Sequence, residues 1–171
     1  PQGAGAQAVP SSHLYHDVPE PGSMGPFAKV VRGLAAKFYA GETPQGRAVE
    51  SSVEDVDFDI GEMPPCTALP KEQFSVRLDA YVLARKGGEF TFKLEADDGA
   101  QLLVGDDVKI DCWQEMPKDP TAKVALKAGY HGITVLHRDR NAAAKLKLLW
   151  RPSWGRNDRG GKPHFERILP E

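Results

Sequence analysis

The residues best equipped for chemistry in this sequence are acids. Asp97 and Asp98 are adjacent and are followed by Gly99. Adjacent carboxylates supply charge and hard oxygen donors, and calcium takes six to eight such oxygens at ~2.3–2.6 Å. The same three residues also make an ordinary turn with no ion, because Asp tolerates turn geometry and Gly supplies positive φ. A second group, Glu54, Asp55, Asp57 and Asp59, alternates in part with Val56, Phe58 and Ile60. Alternation puts Asp55, Asp57 and Asp59 on one strand face. They read first as a solvated face that stops an edge strand from pairing wrongly, and second as a cation site. His13 and His16 are metal-ligand types in a polar N-terminal stretch with little to hold them in place. His131, His137 and His164 are scattered singly and read as surface histidines near strands.

Catalytic signatures are missing. There is no GxSxG elbow, no P-loop and no HExxH pair. The run His137-Arg138-Asp139 matches a kinase catalytic-loop tripeptide, but Ala144 stands where the metal-binding Asn is needed, and no Gly-rich loop accompanies it. Two carboxylates ~5–9 Å apart would suit glycoside hydrolysis, yet no nucleophile–base set is present. The chain is therefore expected not to be an enzyme. Cys66 and Cys112 are too far apart for a CxxC pair. They read either as separate thiols, with Cys112 a small buried residue, or as one long-range disulfide that would suit an extracytoplasmic protein.

Bulk composition narrows the class further. The chain has 171 residues, 40% apolar and 27% charged, which suits one globular domain with a tail. Twenty-four acids against 22 bases leave a net charge of −2, so the basic field of a dedicated nucleic-acid binder is absent. No apolar run approaches the roughly 18 residues of a membrane helix. The chain opens on Pro1 without a basic-then-apolar leader. It is expected to be a mature or excised segment of a larger protein, a state in which a missing leader says nothing of compartment.

The elements that must position the acids are strands. Residues 1 to about 26 are rich in Gly, Pro, Ala, Ser and Gln, and such a stretch buries too little surface to offset the entropy of ordering it. Residues 1–31 are therefore expected to form a flexible tail or linker, and residues 32–171 the domain. From Phe27 to Tyr39 the pattern fits either a helix or a strand. Beyond it the period is two: Phe74, Val76, Leu78 and Ala80; Phe90, Phe92, Leu94 and Ala96; Val108, Ile110 and Cys112; Val124 and Leu126; Ile133 and Val135; Ala144, Leu146, Leu148 and Trp150. Successive strand side chains point to opposite faces, so each run has one buried and one wetted face. Turn signals at Lys86-Gly87-Gly88, Asp97-Asp98-Gly99, Gly105-Asp106-Asp107 and Ala128-Gly129 separate the runs. The expected fold is all-β, an antiparallel sandwich or barrel of two packed sheets.

The run from Glu89 to Asp106, a strand, an acidic Gly turn and a second strand, resembles the signature hairpin of the protective-antigen-type (PA-fourteen) domain family. That β-sandwich module also occurs in fungal flocculins and bacterial glycosidases. Gly33–Tyr39 is similar to its opening strand, Phe74–Val82 to the strand before the signature, and Val108–Asp111 with Trp113 to the strand after it. Leu126–Val135 resembles its leucine–glycine–β element, Leu146–Trp150 its closing strand, and Phe165–Pro170 its usual ending. The resemblance covers about residues 32 to 170.

In sugar-binding members the paired aspartates of this hairpin bind calcium and are joined by a cis peptide. The resemblance maps them onto Asp97 and Asp98. The other ligands there come from a loop before the closing strand, an Asn side chain plus backbone carbonyls. Here that loop is Arg138–Ala143, with Asp139 in the Asn place and Asn141 two residues on. Asp139 would donate oxygen and more charge, whereas Arg138 and Arg140 would oppose a cation unless they point away or pair with acids. The resemblance thus implies a calcium site of Asp97, Asp98, Asp139 and Asn141. A carbohydrate would complete the calcium shell, oriented by Gln114, Asp139, Arg140 and Asn141. The implied function is a non-catalytic, calcium-dependent, lectin-like adhesion module of a larger extracytoplasmic protein. Its partners would be a glycan and the parent's other domains. The alternative is a structural or protein-interaction sandwich without calcium or sugar.

Overall fold

The computed structural model describes residues 14–16, 31–32, 34–53, 56–61, 68–141 and 144–154. Among them every regular element is a strand: β1 (Leu14–His16), β2 (Val31–Arg32), β3 (Leu34–Ala40), β4 (Ala48–Val53), β5 (Asp57–Gly61), β6 (Phe74–Ala84), β7 (Gly88–Ala96), β8 (Ala100–Val104), β9 (Asp107–Cys112), β10 (Thr121–Leu126), β11 (Gly129–Asp139) and β12 (Ala144–Pro152). The all-β expectation holds, and the strand reading prevails for Leu34–Ala40.

The strands form two antiparallel sheets. The smaller runs β10–β7–β12–β5. The larger runs β9–β8–β11–β6, and the far edge of β6 is shared. There β3 covers Phe74 to Asp79 and β1 covers Tyr81 and Val82, with β4 outside β3 and β2 outside β1. Within the segment expected as a tail, β1 thus pairs with the large sheet. Most of the rest of residues 1–31, together with Phe165–Pro170 and residues 54, 55 and 66, lies outside the described residues.

The period-two residues make the core. Phe92 and Leu94 of β7 and Leu148 of β12 face Leu78 and Val82 of β6, Leu102 of β8 and Val135 of β11, and all seven are fully buried. Each such side chain contributes roughly 1.5–3 kcal/mol relative to exposure. Phe90 stacks on Trp150 at 4.9 Å and 14°. Strand β4 has no apolar alternation, because it is an edge strand with Glu50, Ser51 and Ser52 exposed.

Among the connections that cross between the sheets at one end of the sandwich are the turn from β7 to β8 and the link from β11 to β12. Asp97 and Asp98 lie on the first of these crossings, and Asp139 closes β11 just before the second.

Candidate functional site

Asp97 and Asp98 fasten the first crossing to both sheets. Asp97 continues the β7–β12 pairing: its Oδ2 accepts the Lys145 N–H at 3.0 Å, while its Oδ1 accepts the Asp98 N–H at 3.0 Å. Asp98 ties the turn to the end of β11 in the other sheet, where its Oδ2 accepts the Arg140 N–H at 2.8 Å. Gly99 completes the turn with its carbonyl, which accepts the Arg138 N–H at 2.9 Å. No side chain fits at Gly99, since a Cβ would lie 2.3 Å from the Trp113 carbonyl oxygen and 2.5 Å from Arg138 Nε.

Asp139 reaches the same place through strand phase. Along β11, Ile133, Val135, His137 and Asp139 share one face, and that face is buried throughout. The apolar core stripe thus turns polar at its end. His137 Nδ1 lies 3.2 Å from the Gly99 carbonyl oxygen. A carbonyl only accepts, so Nδ1 carries the proton. Nε2 has no hydrogen-bond partner and sits 3.9 Å from Asp97 Oδ1. Burial pulls the His137 pKa below its ordinary value, with Asp97, the Gly99 carbonyl and Asp98 offsetting part of that. The ring is therefore neutral at pH 7. His137 is buried rather than superficial, which corrects the expectation from the sequence.

Asp139 is 1% exposed, and neither carboxylate oxygen has a hydrogen-bond partner. Burial first, then the charges of Asp97, Asp98 and Glu72, push its pKa from 3.8 up to about 6. The Gln73 backbone N–H pulls the other way, but its geometry falls short of a hydrogen bond. A buried carboxylate with no donor is costly unless something positive meets it.

The two arginines are not that something. Arg140 donates Nε–H to Glu42 Oε2 at 2.9 Å. Arg138 Nη1 lies 3.6 Å from the same oxygen, with its guanidinium 5.3 Å from the Trp113 ring centroid. Both flanking cations are thus paired with an acid outside the cluster. Arg138 and Asp139 also belong to β11 rather than to the loop in which the sequence reading placed them. The structure brings Asp97, Asp98, Asp139 and the Arg140 main chain together. Gln114 and Asn141 are exposed in adjoining segments, and among the described residues neither hydrogen-bonds to the acids. Residues missed from sequence are Glu42, Trp113 and Gln73.

The donor chemistry suits calcium in one respect: an orphaned buried carboxylate lies within range of the charges of two more. In other respects it is incomplete. Among the described residues no group of three or more His, Cys, Asp or Glu is arranged to hold a metal ion. The Asp97–Asp98 peptide is trans, unlike the cis bond of the resemblance. Asp57 of the second acidic group is spent on Lys147, 3.0 Å away. Cys112 is buried and free, its pKa raised by burial and then by Asp111. Among the described residues no helix is long and apolar enough to cross a membrane.

Comparison with known proteins agrees with this architecture. The family described as PA14 domain matches residues 31–163. The anti-sigma-I factor RsgI3 of Acetivibrio thermocellus is 30% identical over 148 residues, which cover 84% of this chain. The chain spans only 22% of that relative's length. A solved anti-sigma factor domain-containing protein superposes with a TM-score of 0.67 at 28% identity, covering 72% of this chain and 44% of that one. The epithelial adhesin 9 A domain of Candida glabrata, solved in complex with Galb1-3GlcNAc, superposes with a TM-score of 0.54 at 15% identity. That match covers 71% of this chain and 82% of the adhesin domain, and shows the fold alone.

Proposed function

Because the chain belongs to the PA14 domain family, we propose that it is a non-catalytic carbohydrate-binding module of a larger extracytoplasmic protein, with a calcium ion as its cofactor. The observation that carries this reading is the Asp139 carboxylate, buried without a donor and within range of the charges of Asp97 and Asp98. Asp97, Asp98 and Asp139 would hold the ion, with Asn141 and main-chain carbonyls of the adjoining loop adding oxygens. Bound calcium supplies open coordination positions that vicinal sugar hydroxyls can fill. The chain's own residues do the rest. Asp97 and Asp98 tie their turn to β12 and to the end of β11 through backbone N–H groups, so the carboxylates are held before any ligand arrives. Gln114 and Asn141 are exposed and, with Asp139 and Arg140, would orient the sugar. The adhesin domain's complex with a disaccharide supports the ligand class.

A second reading is a structural or protein-interaction module without calcium. It is favoured by the backbone hydrogen bonds that Asp97 and Asp98 already accept. A glycan array probed in calcium and again in EDTA separates the two. Saturable binding lost in EDTA supports the first reading, and an array blank in both buffers refutes it.

A further inference from the structure

We propose that Glu42 is a positioning residue for the acidic site: it holds the Arg140 guanidinium off the carboxylates, so that a divalent cation rather than the chain's own arginine neutralises them. This inference rests on the cation reading above. Arg140 is already at the site, since its N–H is 2.8 Å from Asp98 Oδ2. An arginine so placed has a natural use for its side chain, because guanidinium–carboxylate forks are among the strongest charge-assisted hydrogen bonds. Asp139 offers two unpartnered oxygens nearby. The side chain nevertheless turns to Glu42, with Nε 2.9 Å from Oε2.

The local structure explains why Glu42 is there to receive it. β3 ends at Ala40, and Gly41, at φ 94°, turns the chain while its N–H donates to the Gln73 carbonyl at 2.7 Å. That turn carries Glu42 to the β11 end of the large sheet. Arg138 then secures it. Buried and packed over Trp113, Arg138 places a fixed positive charge 3.6 Å from Glu42 Oε2. Glu42 therefore serves two arginines, one fixed and one that would otherwise be free to swing onto the acids. Sequence separation hides this pairing, since Glu42 and Arg140 are 98 positions apart.

Calcium titration by calorimetry on the full chain tests this, using wild type, Glu42→Gln, Arg140→Gln and the double variant. A crystal structure of Glu42→Gln completes the set. Loss of an exposed ion pair predicts calcium binding weakened about two- to fivefold in Glu42→Gln. The double variant is expected to return to within about twofold of Arg140→Gln, because the competing cation is gone. Unchanged affinity in Glu42→Gln overturns the inference. So does weakening that the second substitution fails to restore, since that marks a brace for the loop and nothing more. If wild type binds no calcium, the cation reading itself fails and the crystal structure decides this inference separately. A guanidinium moved onto Asp98 or Asp139 upholds it, and one still clear of them overturns it.

Discussion

Asp139→Asn should make the calcium-free protein more stable at neutral pH while removing its affinity for the ion. The wild-type carboxylate is held with a pKa of about 6, against 3.8 for the ordinary group. A raised folded-state pKa means the native state binds the extra proton, so stability falls as pH rises from 3.8 through about 6 and stays lower above that. At ~1.4 kcal/mol per pH unit this interval is worth at most ~3 kcal/mol, and solvent at the rim of the site reduces it to ~1–3 kcal/mol. Asparagine cannot ionise, and its amide can donate to Asp97 or Asp98. For a domain of this size ~1–3 kcal/mol corresponds to a Tm higher by ~2–10 °C. The assay is thermal unfolding of both proteins in EDTA at pH 7.5 and at pH 3.5. The variant should melt higher at pH 7.5, and the gap should nearly close at pH 3.5, where Asp139 is protonated in the native state and mostly so in the unfolded one. A variant that melts lower at pH 7.5, or a gap equal at both pH values, would refute the argument that this carboxylate is retained at a cost to the fold.

Other expectations follow from the same structure. Gly99→Ala pushes a methyl against the Trp113 carbonyl and Arg138, and should cost ~1–3 kcal/mol in chemical denaturation. Phe92→Ala empties a fully buried site between the sheets and should cost ~3–5 kcal/mol by the same measurement. Lys147→Ala breaks a half-exposed pair with Asp57 and should cost no more than ~1 kcal/mol. The Cys112 thiol, buried and with a raised pKa, should label with a thiol reagent far more slowly in native protein than in denaturant, as mass spectrometry would show.

Much of the fold was legible because one face of most strands is buried. Phe90, Phe92 and Leu94 alternate with polar residues, and they are the residues between the sheets. Strand β4 escaped because an edge strand with both faces partly wet has no reason to alternate. The acidic turn was legible from its residue types, and Asp139 from register with the resembled family. The burial of His137 was in principle readable, since Ile133, Val135, His137 and Asp139 keep one phase. A lone histidine reads as superficial unless that count is carried to the end of the strand. Glu42 and Trp113 were out of reach. Their roles depend on which strand ends meet, and nothing in either segment marks the β3–β6–β11 adjacency that joins Glu42 to Arg140.

The central claim is that Asp97, Asp98 and Asp139 form a cation site. Calorimetric titration of wild type with calcium, beside Asp97→Ala/Asp98→Ala and with a thermal melt of each, tests it most directly. The account predicts saturable binding and a Tm that rises with calcium in wild type, as required of a ligand that binds only the folded state, with both lost in the double variant. No heat and no shift in wild type would contradict it, leaving the acidic turn as a fastening between two sheets.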